Sequence, residues 1–313
     1  MGSFLSKVSV HFLLAKIIYL IALSYLFYAM IRTIGLAIAF SPTAGRMLAE
    51  AVHLASQFGA RLVLIHVGDH GQEEEEMMQS LLKNQNIPVV SAIVRWDKGD
   101  AARAILKSCH EEKVDLLMAG ALKKENILQY YLGTIARHIM RRAQCSVLLL
   151  TEPSPKPTDF KNIVIEAEES PHVMESISLA CQFAGKEKNT WLHVVRELKM
   201  YGLAISASDQ STEGEYENIR HGMVREEIER VEILLNKIPH DHLKINIKVV
   251  AGRSGFELAQ FARRKQADLL VVSAPTRRFK FLDRLFTHDL EYVFADLPCN
   301  LLIVQPGKEG IRG

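Results

Sequence analysis

The best candidates for ligand chemistry lie in two short runs at either end of one long loop. Gly120 ends an apolar run, Lys123 follows three residues later, and Gly133-Thr134 opens a helical pattern after nine more. A glycine lets the backbone approach a ligand closely. The free N–H groups and dipole at a helix start, with the Thr134 hydroxyl and the Lys123 charge, suit a phosphate. From the spacing alone, two interpretations stay open: a phosphate site, or a capped helix in which Gly133 relieves a tight turn.

Other reactive side chains lack the spacing that their chemistry requires. His240-Asp241-His242 places two histidines in a polar turn without a third ligand, so we predict no metal site. Cys109 and His110 are neighbours on a predicted helix, where adjacent side chains point apart. Glu125 and His138 are the acid–base groups nearest the loop, and neither stands in a recognisable catalytic pattern. We therefore predict no catalytic residues.

Strands and helices alternate along the chain, which is the pattern of a doubly wound α/β protein. Short apolar strands without polar alternation are buried on both faces, so the sheet should be parallel and covered by helices on both sides. The predicted strands are 33–40, 61–67, 89–94, 114–119, 146–151, 162–165, 190–195, 245–250, 268–272 and 301–304. The predicted helices run from a cap at 41–43 to Gly59 and over 73–83, 101–112, 133–142, 171–183, 215–237, 256–265 and 285–295.

The second half of the chain repeats the first. The run VDLLMAG at 114–120 returns as ADLLVVS at 267–273, and CSVLL at 145–149 returns as CNLLI at 299–303. We predict two domains, at 31–152 and 159–306, which are joined by a proline-rich linker at 153–158 and followed by a tail at 307–313. The second copy carries an insertion between His193 and Ile245 that includes the helix 215–237.

Composition narrows the class of protein. The 313 residues suffice for two domains with real cores, and the net charge of +2 gives no argument for nucleic-acid binding. The four cysteines form no C-x-x-C pair, which suits a reducing cytosol and a cytoplasmic location.

Residues 8–31 are almost wholly apolar, and three interpretations of them stay open. The run is long enough to span a bilayer, which would anchor the protein to the inner membrane. It also fits an interfacial helix. In the third interpretation Met30 is the true start and residues 1–29 are spurious upstream translation.

The ordered motifs resemble those of the universal stress protein family. In the first copy they are Ile34 with Ala39-Phe40-Ser41, His66-Val67, Gly99-Asp100-Ala101, and the run from Gly120 through Gly133-Thr134-Ile135-Ala136 to 145–148. In the second copy they are 163–165, Ser170-Pro171-His172, His193-Val194, Gly252, Ala267-Asp268 and Pro298-Cys299. The motifs cover residues from about 31 to 306, so the chain resembles a tandem, two-domain member.

The resemblance implies adenine nucleotide alpha hydrolase-like domains, each with five parallel strands in a Rossmann-like sandwich. Some family members bind ATP through a Gly-x-x-Gly-x9-Gly-Ser/Thr loop and an aspartate after the first strand, whereas others lack the loop and bind no nucleotide. The implied nucleotide-binding positions of the first domain are Ala39, Gly120, Lys123, Gly133, Thr134 and Ile135. Lys123 replaces the middle glycine, and Ala39 replaces the aspartate, which removes a polar contact.

The second domain departs further from the family pattern. Its equivalent positions are Glu168, Ser273, Thr276 and Thr287, so no glycine remains to free the backbone. We expect no ATP binding there by the family mode. The loop instead carries the basic and aromatic segment 277–284, which fits a solvated loop better than an anion, RNA or membrane site.

The resemblance thus implies a non-catalytic stress-response protein that regulates by binding ATP or another adenine nucleotide in the first domain, with weak ATPase activity at most. The alternative is a nucleotide-free docking module, or a membrane-tethered domain pair, that acts through protein partners. We expect the domains to pair through their final apolar strands, 147–150 and 301–304, within one chain or in a homodimer. We expect no nucleic acid, and a membrane only where residues 8–31 anchor the chain.

Overall fold

The computed structural model of the chain describes residues 31–85, 92–123, 130–168, 170, 172–184, 189–198, 213–251, 254–274 and 290–305. The strands are β1 Thr33–Ala37, β2 Arg61–Val67, β3 Ala92–Asp97, β4 Leu116–Gly120, β5 Leu122–Lys123, β6 Tyr130–Tyr131, β7 Ser146–Leu150, β8 Asn162–Glu166, β9 Trp191–Leu198, β10 Lys244–Ala251, β11 Leu269–Ser273 and β12 Asn300–Val304. The helices are α1 Ala44–Phe58, α2 Gln72–Asn84, α3 Ala101–Glu111, α4 Thr134–Arg142, α5 Val173–Phe183, α6 Glu213–Leu235, α7 Ser254–Arg264 and α8 Leu290–Ala295.

Ten strands of the described chain form one sheet in the order β10-β9-β8-β11-β12-β7-β4-β1-β2-β3. Within each half the five strands are parallel and follow the same order, which confirms the predicted fold class. The halves meet where β7 pairs antiparallel with β12, with Leu149 opposite Leu301 and Val147 opposite Ile303. The final strands therefore pair within a single chain.

Matching hydrogen bonds mark the structural repeat. The Asp115 carboxylate accepts the backbone N–H groups of Arg32 and Thr33 at 2.9 and 3.0 Å. The Asp268 carboxylate accepts those of Lys161 and Asn162 at 2.8 and 3.1 Å. Each aspartate thus ties the start of the first strand of its half to the start of the fourth. This shared role explains why an aspartate recurs at the equivalent position of the repeat.

Apolar side chains fill a layer on each face of the sheet. One layer unites both halves, since Phe58 at the end of α1 meets Phe183 of α5 with ring centroids 5.1 Å apart. Val231 and Leu235 of α6 are buried in this layer. The other layer packs under α3, α4, α7 and α8 and includes Ile105 and Phe294. The ten-stranded sheet therefore has a core that is continuous across the junction.

The ends of several elements differ from the predictions. β1 stops at Ala37 rather than Phe40, because the backbone turns where Ser41 N–H bonds to Ala39 O at 2.8 Å. The Thr43 hydroxyl bonds to the Ser41 hydroxyl at 3.0 Å and makes no capping hydrogen bond to α1. The prediction that a serine or threonine side chain caps this helix is therefore wrong. Gly59 ends α1 in the left-handed region at φ 63°, as predicted.

The apolar N-terminal segment lies largely outside the described residues. Of the helices that the structure describes, none has the length and hydropathy to cross a membrane.

Candidate functional site

Ala39 and Gly120 lie on the two sides of the point where the strand order of the first half reverses. From β1 the chain builds outward through β2 and β3, while β4 pairs on the opposite side of β1 and leads to β7. Leu36 of β1 pairs with Met118 of β4, so the carboxyl ends of these strands are neighbours. Crevices at such switch points are the usual ligand sites of open α/β sheets.

Gly120 is exposed at the end of β4. A Cβ atom there would lie 3.7 Å from Sδ of Met47, which is ordinary van der Waals contact. The position therefore tolerates a small side chain sterically, and the value of glycine here would lie in backbone access for a ligand.

After Gly120 the chain folds back as a small hairpin. β5 and β6 are antiparallel, with Leu122 opposite Tyr131 and Lys123 opposite Tyr130. The Lys123 ammonium lies 5.9 Å from the centroid of the Tyr130 ring, which places the charge over an aromatic face. The Tyr130 hydroxyl donates to Glu152 at 2.9 Å, and removal from water together with this bond raises the pKa of Tyr130.

The hairpin also joins the two halves of the chain. Leu132 N–H bonds to Phe294 O at 3.0 Å, and Leu297 N–H bonds to Tyr130 O at 2.9 Å. The loop that carries Lys123 is therefore held by the end of α8, an attachment that motif spacing in the first half does not reveal.

Gly133 is the N-cap of α4 in an extended conformation, with φ −69° and ψ 167°. That conformation is open to any residue, so the tight-turn interpretation of Gly133 is wrong. Packing favours glycine, since a Cβ atom would lie 2.5 Å from Cδ1 of Leu122 and this half-exposed side chain would have to shift. Thr134 and Ile135 are exposed in the first turn of α4, where the leading N–H groups have no intrahelical acceptor.

Four aromatic side chains, Phe40, His66, His70 and Trp96, line the carboxyl ends of β1, β2 and β3. We call them the aromatic wall. His66 lies 4.6 Å from Phe40 and 5.3 Å from Trp96 between ring centroids, and His70 stacks on Trp96 at 4.4 Å with a 10° interplanar angle. The buried His66 bonds through Nδ1 to Ile38 O at 3.0 Å, which gives this ring a structural role.

Sequence reasoning did not foresee the aromatic wall as a unit. Its members come from three segments that are separated in sequence, and they meet because parallel strands end at the same edge. The available signal was an aromatic ring at or just after the end of each of three predicted strands.

The carboxyl edge of the second half is occupied by the chain itself. Buried Arg196 donates through Nε to Glu227 of α6 at 2.6 Å and through Nη1 to the backbone carbonyl of Ala167. Ser273, which stands for the first glycine, bonds to the Ser176 hydroxyl at 2.7 Å. The exposed Glu168 lies beside this arrangement, whereas Thr276, Thr287 and the basic segment 277–284 lie outside the described residues.

The remaining candidates have local partners or lie outside the description. His240 bonds through Nδ1 to Ile238 O at 2.8 Å. Within the described ranges, no three His, Cys, Asp or Glu side chains are grouped so as to hold a metal, and buried Nε2 of His138 has no hydrogen-bond partner. Glu125 falls between the described ranges.

Comparisons with known proteins agree with this architecture. Residues 68–151 match the model of the universal stress protein family. A universal stress protein from Methanocaldococcus jannaschii is 23% identical over 123 residues, which cover 33% of this chain and 72% of that protein. A functionally unknown protein from Pseudomonas aeruginosa PAO1 has a similar structure, with a TM-score of 0.65 and 17% identity over 89% of this chain and 94% of that one.

A universal stress protein from Archaeoglobus fulgidus aligns with a TM-score of 0.59 and 13% identity, over 88% of this chain and 98% of that one. The structural likeness establishes the fold across both halves, and the family match lies in the first half. The chain is thus similar to universal stress proteins: residues 68–151 match the family model, and both halves share the fold of these solved structures.

Proposed function

We propose that the chain is a tandem universal stress protein that binds an adenine nucleotide in its first domain and uses its second domain as a structural partner. The observation that carries the proposal is the placement of Gly120 at the switch point, followed by a hairpin that leads directly to the exposed start of α4 at Thr134. This arrangement offers a phosphate both free backbone N–H groups and a helix dipole. The role is regulatory rather than catalytic.

The phosphate end of the site is the start of α4. Thr134 contributes a hydroxyl and Ile135 a backbone N–H in an exposed first turn. Lys123 lies on the preceding hairpin and supplies the positive charge that the family pattern does not place there. The exposed, flexible Lys123 ammonium can leave the Tyr130 face for a phosphate, because a cation–π contact at a partly exposed site is weak.

The base end of the site is the aromatic wall. Ala39 has no carboxylate to hold the adenosine, so recognition there depends on stacking. Phe40 and Trp96 are half-buried at the carboxyl ends of β1 and β3, with ring centroids 6.4 Å apart and His70 stacked on Trp96. Stacking of a base on an aromatic side chain contributes about 1–3 kcal/mol, which is of the size needed to replace one lost polar contact.

The second domain supports the first rather than repeating its site. The Arg196–Glu227 pair brings the insertion helix α6 to the edge where a nucleotide would bind, and Arg196 takes the Ala167 carbonyl. A ligand would have to displace a buried ion pair, which is costly. Because of this difference, the first domain binds the nucleotide and the second domain serves as its structural partner.

Calorimetric titration of the full chain with ATP tests the proposal. We expect a single site per chain, and loss of binding in Gly133→Val. A matched titration with GTP reports whether the base is recognised. Failure to bind ATP at millimolar concentration would reject the nucleotide function.

One observation favours the alternative of a docking module. Leu122 and Ile135 are 51% and 52% exposed and flank the start of α4, so apolar surface lies where a phosphate would bind. This pair fits the apolar contact of a protein partner. Two results together would establish the alternative. The chain would bind no ATP, and a protein partner that it binds without ATP would no longer bind to Leu122→Ser or Ile135→Ser.

Location is tested separately. We propose a cytoplasmic protein, and fractionation of cells that express the chain from Met1 decides whether residues 8–31 hold it at the membrane.

A further inference from the structure

Cys109 and Cys145 form a pair of thiols in the first half, away from the proposed nucleotide site. Cys109 lies near the end of α3, and Cys145 precedes β7. Both are free and 6% exposed, and they belong to the same buried cluster. The backbone brings them to the same place, since Val114 N–H bonds to Cys109 O at 2.9 Å and Ser146 N–H bonds to Asp115 O at 3.0 Å, and both cysteines line one cleft. The fold therefore places each thiol beside the other.

The second half provides an internal comparison. The turn after α3 is closed by a bond from Val114 N–H to Cys109 O at 2.9 Å, and the turn after α7 by a bond from Ala267 N–H to Ala262 O at the same distance. Ala262 therefore stands where Cys109 stands in the first half. Cys299 matches Cys145, since each precedes the last strand of its half. The cysteine before the last strand is therefore present in both halves. In the first half it has a second cysteine, Cys109, beside it, whereas in the second half Ala262 takes that position.

A small cleft opens beside the pair. It has a volume of about 300 Å³ and is lined by Leu106, Lys107, Cys109, His110, Val114, Arg142, Gln144 and Cys145. The cleft lies at the amino ends of β4 and β7, whereas the proposed nucleotide site lies at the carboxyl end of β4. A molecule of the size of hydrogen peroxide can therefore enter the cleft that both cysteines line without entering the nucleotide site.

The environment keeps Cys109 protonated at rest, because the neighbouring Cys145 and burial raise the pKa of the Cys109 thiol. A protonated thiol is a poor nucleophile, so Cys109 does not act as a fast isolated sensor. Proximity is the feature that distinguishes the pair, because a sulfur that has once reacted meets the second thiol in the same cleft.

We propose that Cys109 and Cys145 are a redox modification site that forms an intramolecular disulfide with small peroxides. One thiol loses its proton and attacks a peroxide oxygen, which breaks the O–O bond and gives a sulfenic acid and water. The second sulfur then attacks the sulfenic sulfur, the S–O bond breaks, and a second water leaves. In total two thiols and one hydrogen peroxide give one disulfide and two waters, with two electrons passing from sulfur to oxygen.

Peptide mapping of the full chain tests this site. The native protein is treated with hydrogen peroxide, alkylated with iodoacetamide, digested and analysed by mass spectrometry, with and without dithiothreitol. We expect a dithiothreitol-sensitive cross-link between the peptides that contain Cys109 and Cys145. We expect Cys181 and Cys299 to stay outside any intramolecular cross-link.

Cys109→Ala is the informative variant, because Ala262 shows that this fold accepts alanine at the equivalent position. It should abolish the cross-link, and the matched Cys299→Ala should leave it unchanged. The oxidised wild-type protein should also unfold at higher temperature than the reduced one, since a cross-link constrains the unfolded chain. Two results would overturn the proposal: a cross-link that joins other cysteines, or native Cys109 and Cys145 that remain unlinked while the urea-unfolded chain oxidises.

Discussion

Leu122 packs directly on Gly133: its Cδ1 atom lies 2.5 Å from the position that a Cβ atom on Gly133 would occupy. The contact joins the β5–β6 hairpin to the first turn of α4. A side chain at residue 133 must therefore displace the Leu122 side chain, which is half-exposed and can move.

The first prediction concerns this contact. Gly133→Ala should lower the free energy of unfolding by about 0.5–1.5 kcal/mol, since the added methyl group forces the half-exposed Leu122 side chain out of its rotamer. Urea denaturation followed by circular dichroism measures the change. Gly120→Ala is the matched control, because the new Cβ atom has the Met47 sulfur as its nearest neighbour, at 3.7 Å. The free energy of unfolding of this variant should stay within about 0.5 kcal/mol of the wild type.

A second substitution separates packing from ligand binding. In Gly133→Ala/Leu122→Ala the clashing methyl group is gone, so most of the lost stability should return. Equal stabilities of the single and double variants would show that Leu122 is not the cause.

The next prediction concerns the buried ion pair of the second half. Glu227→Gln leaves Arg196 buried with a weakened partner, and breaking such a pair typically costs about 3–5 kcal/mol. Because Glu227 is not fully buried and Arg196 keeps its bond to Ala167 O, we expect the lower end of that range. Urea unfolding measures it, with the exposed Glu226→Gln on the same helix as control. Equal effects of the two substitutions would mean that α6 is not held through Arg196.

The fold was predictable from sequence to a greater extent than the site. Uninterrupted apolar strands such as Leu62–Ile65 and the repeated Asp115 and Asp268 positions define two parallel half-sheets, and the structure confirms them. The spacing of the motif residues could not predict that Leu122 packs on Gly133. This contact depends on the pairing of two short strands, β5 and β6, within a long loop. The nucleotide-binding role of Gly120 and Thr134 stays a prediction.

The pH dependence of stability should report on His193. This side chain is buried beside Asn246, and burial, with a smaller contribution from Lys265, lowers the pKa of His193 from its usual 6.5. The unfolded chain therefore binds more protons than the folded chain below about pH 6.5, so stability falls as the pH is lowered through that window. Urea midpoints at pH 7.5 and 5.5 should differ less in His193→Gln than in the wild type. A variant that loses as much stability on acidification as the wild type would remove His193 as the cause.

The last prediction uses the two tryptophans of the chain to test the base end of the site. Trp191 lies on β9 of the second half, so Trp191→Phe leaves Trp96 of the aromatic wall as the reporter. ATP should quench the fluorescence of this variant, because a base that stacks near Trp96 replaces or perturbs its contact with His70. Trp96→Leu should weaken ATP binding about tenfold, which corresponds to about 1.4 kcal/mol of lost stacking. Lys123→Ala should weaken ATP more than adenosine, since its charge serves the phosphates. In Trp96→Leu the remaining tryptophan is Trp191. Quenching by ATP in that variant, without quenching in Trp191→Phe, would place the ligand in the second half and contradict a nucleotide site in the first domain alone.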